Sequence, residues 1–165
     1  MTATPEPTPR TDIAETAESA APENVGGLSG HELLSRTAVV VVSYDSAALL
    51  ERTLVRVAED SPEARIIVVD NYSTPAAREE LVALASSRGW EAVLPETNTG
   101  FGGGMNLGAA RARELGADLL VLLNPDAVIA RADLIRLAAR AHADRLALVA
   151  PVLKDSGGRI VSDGI

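Results

Sequence analysis

The chain has no cysteine, which removes disulfides, thiol catalysis and thiolate metal sites together and suits a reducing compartment. Basic residues are in deficit. Fifteen Lys and Arg against 23 Asp and Glu leave a net charge of −8, the wrong sign for holding nucleic acid. No apolar run approaches the roughly 20 residues of a membrane span. The first ten residues also lack the basic and then apolar regions of a secretory signal. A cytoplasmic protein is the expectation these absences leave. What is present, 165 residues of which 47% are apolar, suffices for one domain around one core.

Residues 1–36 read as a disordered tail, since Pro5, Pro7, Pro9 and Pro22 are scattered among Thr, Ala and Glu with no aromatic residue. Its six acids (Glu6, Asp12, Glu15, Glu18, Glu23, Glu32) outnumber Arg10 and Arg36 by four, half of the net charge. His31, at its end, has no second ligand beside it and reads as a solvated side chain.

From 37 to 165 the pattern changes. A run rich in β-branched residues at 37–43 and apolar runs at 65–69 and 119–123, with a weaker one at 90–94, predict strands. Between them lie helical stretches at 46–60, 75–87, 105–115 and 132–143. Ser46 is a candidate cap for the first helix, whose core face would be Leu49, Leu50, Leu54 and Val57. Thr74-Pro75 starts the second and Gly89 ends it. A fifth apolar run, 146–153, precedes a glycine turn and an incomplete strand. Strands alternating with helices imply βαβ units, hence an α/β, Rossmann-like, mostly parallel sheet with helices on both faces.

The run 119–123 reads as a strand buried on both faces, because a half-exposed strand would alternate. It stops at Asn124-Pro125-Asp126, where proline cannot donate to a sheet ladder and the chain must leave the sheet. The other polar clusters also follow strands: Ser43, Tyr44 and Asp45 after the first, Asp70 after the second, and 98–104 after the third. In a parallel sheet all four emerge at the carboxyl edge, where ligands bind in open α/β folds.

Each cluster has two readings. Asn124 and Asp126 either cap a turn or offer a hard cation a carboxylate and an amide oxygen, which would suit Mg²⁺ or Mn²⁺ on a nucleotide's phosphates. Their place beside three other clusters favours the site. Asp70 either accepts hydrogen bonds from a base or ribose or closes an Asx-turn in its own loop. Asp45 is similarly open, and Tyr44 can be a packing aromatic. Glycines 102–104 imply positive φ angles or a ligand close to the backbone, with a helix N-terminus behind them that attracts anions. The spacing is neither G-x-G-x-x-G nor Walker A.

With these residues assembled, the chain from about 39 to 163 resembles a family 2 glycosyltransferase of the GT-A fold. The likeness rests on Val-Ser-Tyr-Asp-Ser (42–46), Val-Val-Asp-Asn-Tyr-Ser (68–73), Asn-Thr-Gly-Phe-Gly-Gly-Gly-Met-Asn-Leu-Gly (98–108) and Leu-Leu-Asn-Pro-Asp (122–126), in that order. Position 45 is more often Asn in the family. The Asn-Pro-Asp form and the segment 150–159 are similar to the rhamnosyltransferase-like subgroup that builds bacterial cell-wall polysaccharide.

The resemblance implies a donor such as a UDP- or dTDP-sugar, a divalent metal, and a glycan or lipid-linked acceptor, the latter bringing the protein to the inner membrane face. It implies donor contacts from Ser43, Tyr44, Asp45, Asp70, Asn98, Gly100, Phe101, Gly103, Asn106 and Asn124, with Asp126 and Asn124 on the metal. Transfer would be inverting, with a carboxylate base. That base is expected in an acidic motif beyond Ile165; Asp163, the last acid, is not assigned the role. Either 37–165 is the donor-binding half of a longer transferase, or it is a truncated nucleotide-sugar-binding protein without catalytic activity.

Three other classes fit less well. A receiver domain would need an acid pair after the first strand and a lysine before a proline at the fifth, whereas Asp45 stands alone and Lys154 follows Pro151. A sugar-nucleotide pyrophosphorylase would carry a glycine-rich, basic signature where Tyr44-Asp45 stands. A pure interaction module would bind no nucleotide sugar.

Overall fold

The computed structural model describes residues 24–25, 27–144, 146–155 and 157–162. Along the chain these form β1 (Asn24–Val25), β2 (Leu28–Ser29), α1 (Gly30–Ser35), β3 (Thr37–Ser43), α2 (Ala47–Asp60), β4 (Arg65–Asp70) and α3 (Pro75–Arg88). They continue with β5 (Glu91–Val93), α4 (Gly100–Glu114), β6 (Leu119–Leu123), α5 (Arg131–Ala143), β7 (Leu153–Lys154) and β8 (Ile160–Ser162). The expected disorder of residues 1–23 lies outside the described residues.

Four strands make the central sheet, in the order β5-β4-β3-β6, all parallel. The chain steps outward from β3 through β4 to β5 and then returns to the far side of β3 as β6. The helices follow that reversal. Residues of α1, α2, α3 and α5 share one core with Val39, Val41, Ile66 and Val68. On the opposite face Met105 and Ala112 of α4 pack with Ala38, Val40, Val42, Ile67 and Val69. This is the doubly wound arrangement that right-handed crossovers require, and it creates a switch point between β3 and β6.

Four expectations are corrected. First, the stretch 28–35, expected to be tail, is folded. Ser29 Oγ accepts from Glu32 N while the Glu32 carboxylate accepts from Ser29 N, a capping box that starts α1 and sends Leu33 and Leu34 into the core. Burying those two leucines contributes about 2 kcal/mol each, enough to order a short segment whose average composition suggests disorder.

Second, the helix expected from 105 begins at Gly100, so the glycines are its first turns rather than a loop. Third, β6 is an edge strand and not fully buried: Leu119 is enclosed but Leu122 is more than half exposed. Fourth, the run 146–153 adds no strand to the sheet. Leu146 and Leu148 are 99% and 86% exposed, and only Leu153–Lys154 pairs, antiparallel, with β8. An apolar run becomes a strand only where a neighbour accepts its backbone hydrogen bonds. None of the described helices is long and apolar enough to cross a membrane.

Candidate functional site

Register brings the strand tips to one rim. Ser43 pairs with Asp70, and Leu123 with Val41, so Asn124 to Asp126 leave β6 at the level where β3 ends. The backbone N–H of Asn71 donates to the Ser43 carbonyl at 2.7 Å, locking the first two tips together. The Asn71 side chain, itself buried, accepts from Thr99 N at 3.0 Å and so ties the second tip to the approach to α4. Sequence reading gave Asn71 no role.

Asp70 sits at this rim but points inward, 2% exposed. Its Oδ1 accepts from Tyr72 N at 3.2 Å, which is the Asx-turn reading, and its Oδ2 accepts from Arg78 Nε at 2.5 Å. Arg78, in the first turns of α3, also donates to the Pro95 carbonyl and lies over the Tyr72 ring, 4.6 Å from its centroid. Sequence reading also missed Arg78. Its signal was available, since the first turns of a helix that follows a strand tip face the same rim as the tip.

Two described residues other than glycine have positive φ, Asp45 (49°) and Tyr72 (39°), and they follow adjacent strand tips. Such conformations cost on the order of 1–3 kcal/mol and cluster where ligands bind. Ser43 is buried, its hydroxyl 2.8 Å from that of Ser46, so Ser46 does not cap α2 as expected. Tyr44 is exposed.

At α4, Gly100 has φ +72° and its N–H donates to Asn98 Oδ1 at 2.8 Å. A Cβ on Gly104 would stand 2.9 Å from Val42, and one on Gly108 would press on Val40 and 3.0 Å from Val69. These two glycines let the helix lie against the sheet. Gly102, with nothing within 4 Å of its missing Cβ, faces open space, as do the exposed Phe101 and Asn106. The glycine run thus has a packing half and an open half, and only the open half is available to a ligand.

At β6, Asn124 and Asp126 are exposed on a turn closed by Ala127 N to Asn124 O at 3.1 Å. The Thr53 hydroxyl of α2, shared between the Pro125 carbonyl at 2.7 Å and the Leu49 carbonyl at 2.9 Å, anchors that turn. One carboxylate and one amide oxygen fit a hard cation that takes its other oxygens from a diphosphate and water. Among the described residues no group of three acids or histidines could hold an ion by itself.

A concavity of about 580 Å³ lies at the opposite end of the sheet, where Arg65 and Glu91 begin their strands and Trp90 precedes one. Near it Glu63 makes a two-pronged pair with Arg131 at 2.6 and 2.7 Å, and His31, largely exposed, lies 3.0 Å from the same carboxylate. Those hydrogen bonds hold the Glu63 carboxyl at about 2, below its ordinary 4.5.

A family model described as glycosyl transferase family 2 matches residues 38–163. Among solved structures, the chain is similar to a mannosyltransferase, PcManGT from Pyrobaculum calidifontis, in complex with GDP-Man and Mn²⁺ (21% identity, TM-score 0.54, covering 72% of this chain and 34% of that one). It is also similar to TarS 1–349 of S. aureus in complex with UDP (20% identity, TM-score 0.51, covering 66% and 32%). These likenesses show the fold, and the chain spans about a third of the length of either relative. Curated proteins gave no match.

Proposed function

The chain belongs to glycosyl transferase family 2, and from that premise we propose that its carboxyl rim binds a nucleotide-diphosphate sugar for inverting transfer to a glycan or lipid-linked acceptor. The observation that carries the reading is the convergence of four polar strand-tip segments at the switch point, in the register given by Ser43 with Asp70 and Val41 with Leu123. The nucleoside lies against Ser43, Tyr44, Asp45 and the Asp70–Tyr72 corner. The diphosphate and sugar face Asn98, Gly100, Phe101, Gly103 and Asn106, where the positive end of the α4 dipole favours negative charge.

Asp126 and Asn124 would hold Mg²⁺ or Mn²⁺, which when bound neutralises charge on the departing diphosphate. A single carboxylate makes this a weak cation site until the diphosphate adds its own oxygens. Inverting transfer also needs a carboxylate to deprotonate the acceptor, and no residue of 1–165 is assigned that role. We assign the donor as a UDP- or dTDP-sugar, the pathway as bacterial cell-wall polysaccharide assembly by a rhamnosyltransferase-like enzyme, and the location as the cytoplasm, at the inner membrane face when the acceptor is lipid-linked.

Titration calorimetry with UDP, dTDP and GDP tests this reading. Affinity should require Mn²⁺ or Mg²⁺ and fall at least about tenfold in Asp126→Ala, as expected when a charged ligand to the cation is lost. Equal affinity with and without chelator would count against it. A second reading, donor binding without transfer, is favoured by the openness of the rim, where Tyr44 and Phe101 are more than half exposed and water has free access. Release of nucleotide from a bound donor sugar on adding acceptor decides between the two.

A further inference from the structure

Among the described residues, Arg78 of α3 is the side chain that fastens the corner after β4 to the segment after β5. Its Nε donates to Asp70 at the tip of β4, its Nη2 donates to the Pro95 carbonyl after β5, and its guanidinium plane covers the Tyr72 ring. Each partner needs it for a different reason. Asp70 is a nearly buried carboxylate whose charge would otherwise stand uncompensated. Tyr72 is a bulky residue at φ +39°, a conformation that persists only where the surroundings impose it. Pro95 opens the segment that leads through Asn98 and Thr99 into α4, and among the described residues Arg78 Nη2 is the donor that its carbonyl meets. Lysine can supply the charge but not two directed donors together with a stacking plane.

We infer that Arg78 is the positioning residue of the nucleoside corner: it sets Asp70, Tyr72 and the Pro95 segment as one rigid piece, and thereby governs affinity for, and discrimination among, nucleobases without itself holding the diphosphate. This rests on the donor-site reading above. It separates the rim into two parts, since the Asn124–Asp126 turn is anchored by Thr53 on α2 whereas Arg78 donates to Asp70 and Pro95.

The test compares wild type, Arg78→Lys and the charge-balanced double variant Arg78→Met/Asp70→Asn, which leaves no buried carboxylate unpaired. Probes are UDP, dTDP and GDP with Mn²⁺, and inorganic pyrophosphate with Mn²⁺. Both variants should bind the preferred nucleotide roughly tenfold more weakly or worse, as loss of a two-pronged charged anchor implies. They should also lose most of the wild-type preference among bases while keeping pyrophosphate–Mn²⁺ affinity within about twofold. An undiminished base preference in Arg78→Lys would overturn the inference. So would an equal loss for pyrophosphate, which would mark Arg78 as a general structural prop. A wild-type chain that binds none of the four probes would instead bring down the donor-site reading, and the inference with it.

Discussion

At the scale of single residues, the glycines of α4 make opposite predictions from one sequence run. Gly108→Ala would force a methyl between α4 and the side chains of Val40 and Val69, and should destabilise by about 1–3 kcal/mol, the usual cost of overpacking. Gly102→Ala meets nothing and should stabilise the helix, by up to about 1 kcal/mol. Thermal or urea melts of the two variants check both signs. The sequence showed that these glycines mattered but not which reason applied to each, because helix packing against a sheet is a long-range fact.

Thr53 gives the second prediction at this scale. Thr53→Val removes the hydroxyl that holds the Pro125 carbonyl while preserving shape, so Mn²⁺ affinity in the presence of UDP should fall about threefold to tenfold, the worth of one net hydrogen bond. Thr53→Ser should restore it. Nothing local in the sequence tells that residue 53 meets residue 125. By contrast Asp45 was legible: aspartate is among the few residues that tolerate positive φ, and the Asn more common in the family at that place is another.

Among elements, strands β3 and β4 and helices α2, α3 and α5 lie within a residue or two of their expected limits, because β-branched runs specify the strands and helical apolar periodicity the helices. Thr74 does cap α3, accepting from Ala77 N, and Gly89 ends it at φ +68°. α1 escaped notice because its capping box ends only five residues before the sheet starts at Thr37 and lies in a stretch whose composition is that of a tail. Once folded, α1 belongs to a junction in which Arg131 at the start of α5 grips Glu63 before β4, with His31 of α1 beside it.

That junction carries a pH dependence whose sign is fixed. The Glu63 carboxyl is held at about 2 in the folded chain against an ordinary 4.5, so its contribution is complete above about pH 4.5 and is lost as pH falls from there toward 2. Wild type should therefore be more stable than Arg131→Met at pH 6, by on the order of 1–2 kcal/mol, and the two melting curves should converge near pH 2. A gap that stays constant across that range would mean that the ion pair contributes only packing.

On the scale of the whole molecule, alternation of strands and helices made the parallel sheet readable, but the order β5-β4-β3-β6 was not, and so the edge position of β6 was missed. Geometry explains the bare strip beside it. Four strands about 4.8 Å apart are wider than one helix of about 10 Å diameter, and α4 alone roofs its face, reaching Leu120 but leaving Leu122 uncovered. With Leu146 and Leu148 also exposed, the isolated chain should self-associate at high concentration. Leu122→Lys combined with Leu148→Glu should reduce that association in sedimentation or light scattering while leaving the melting temperature within about 3 °C, since surface changes away from the core cost little.

Five of the fifteen residues of α4 are glycine, and among the described residues no second helix shares its side of the sheet. A segment that gains so little from its own backbone depends on what it leans against, and the open side of its first turn, at Gly100 and Gly102, is where the proposed donor site would put phosphate. An occupant there would act as the missing buttress, so that arrival of the donor registers as slower amide exchange along residues 100–114 while the strands beneath keep their original pace.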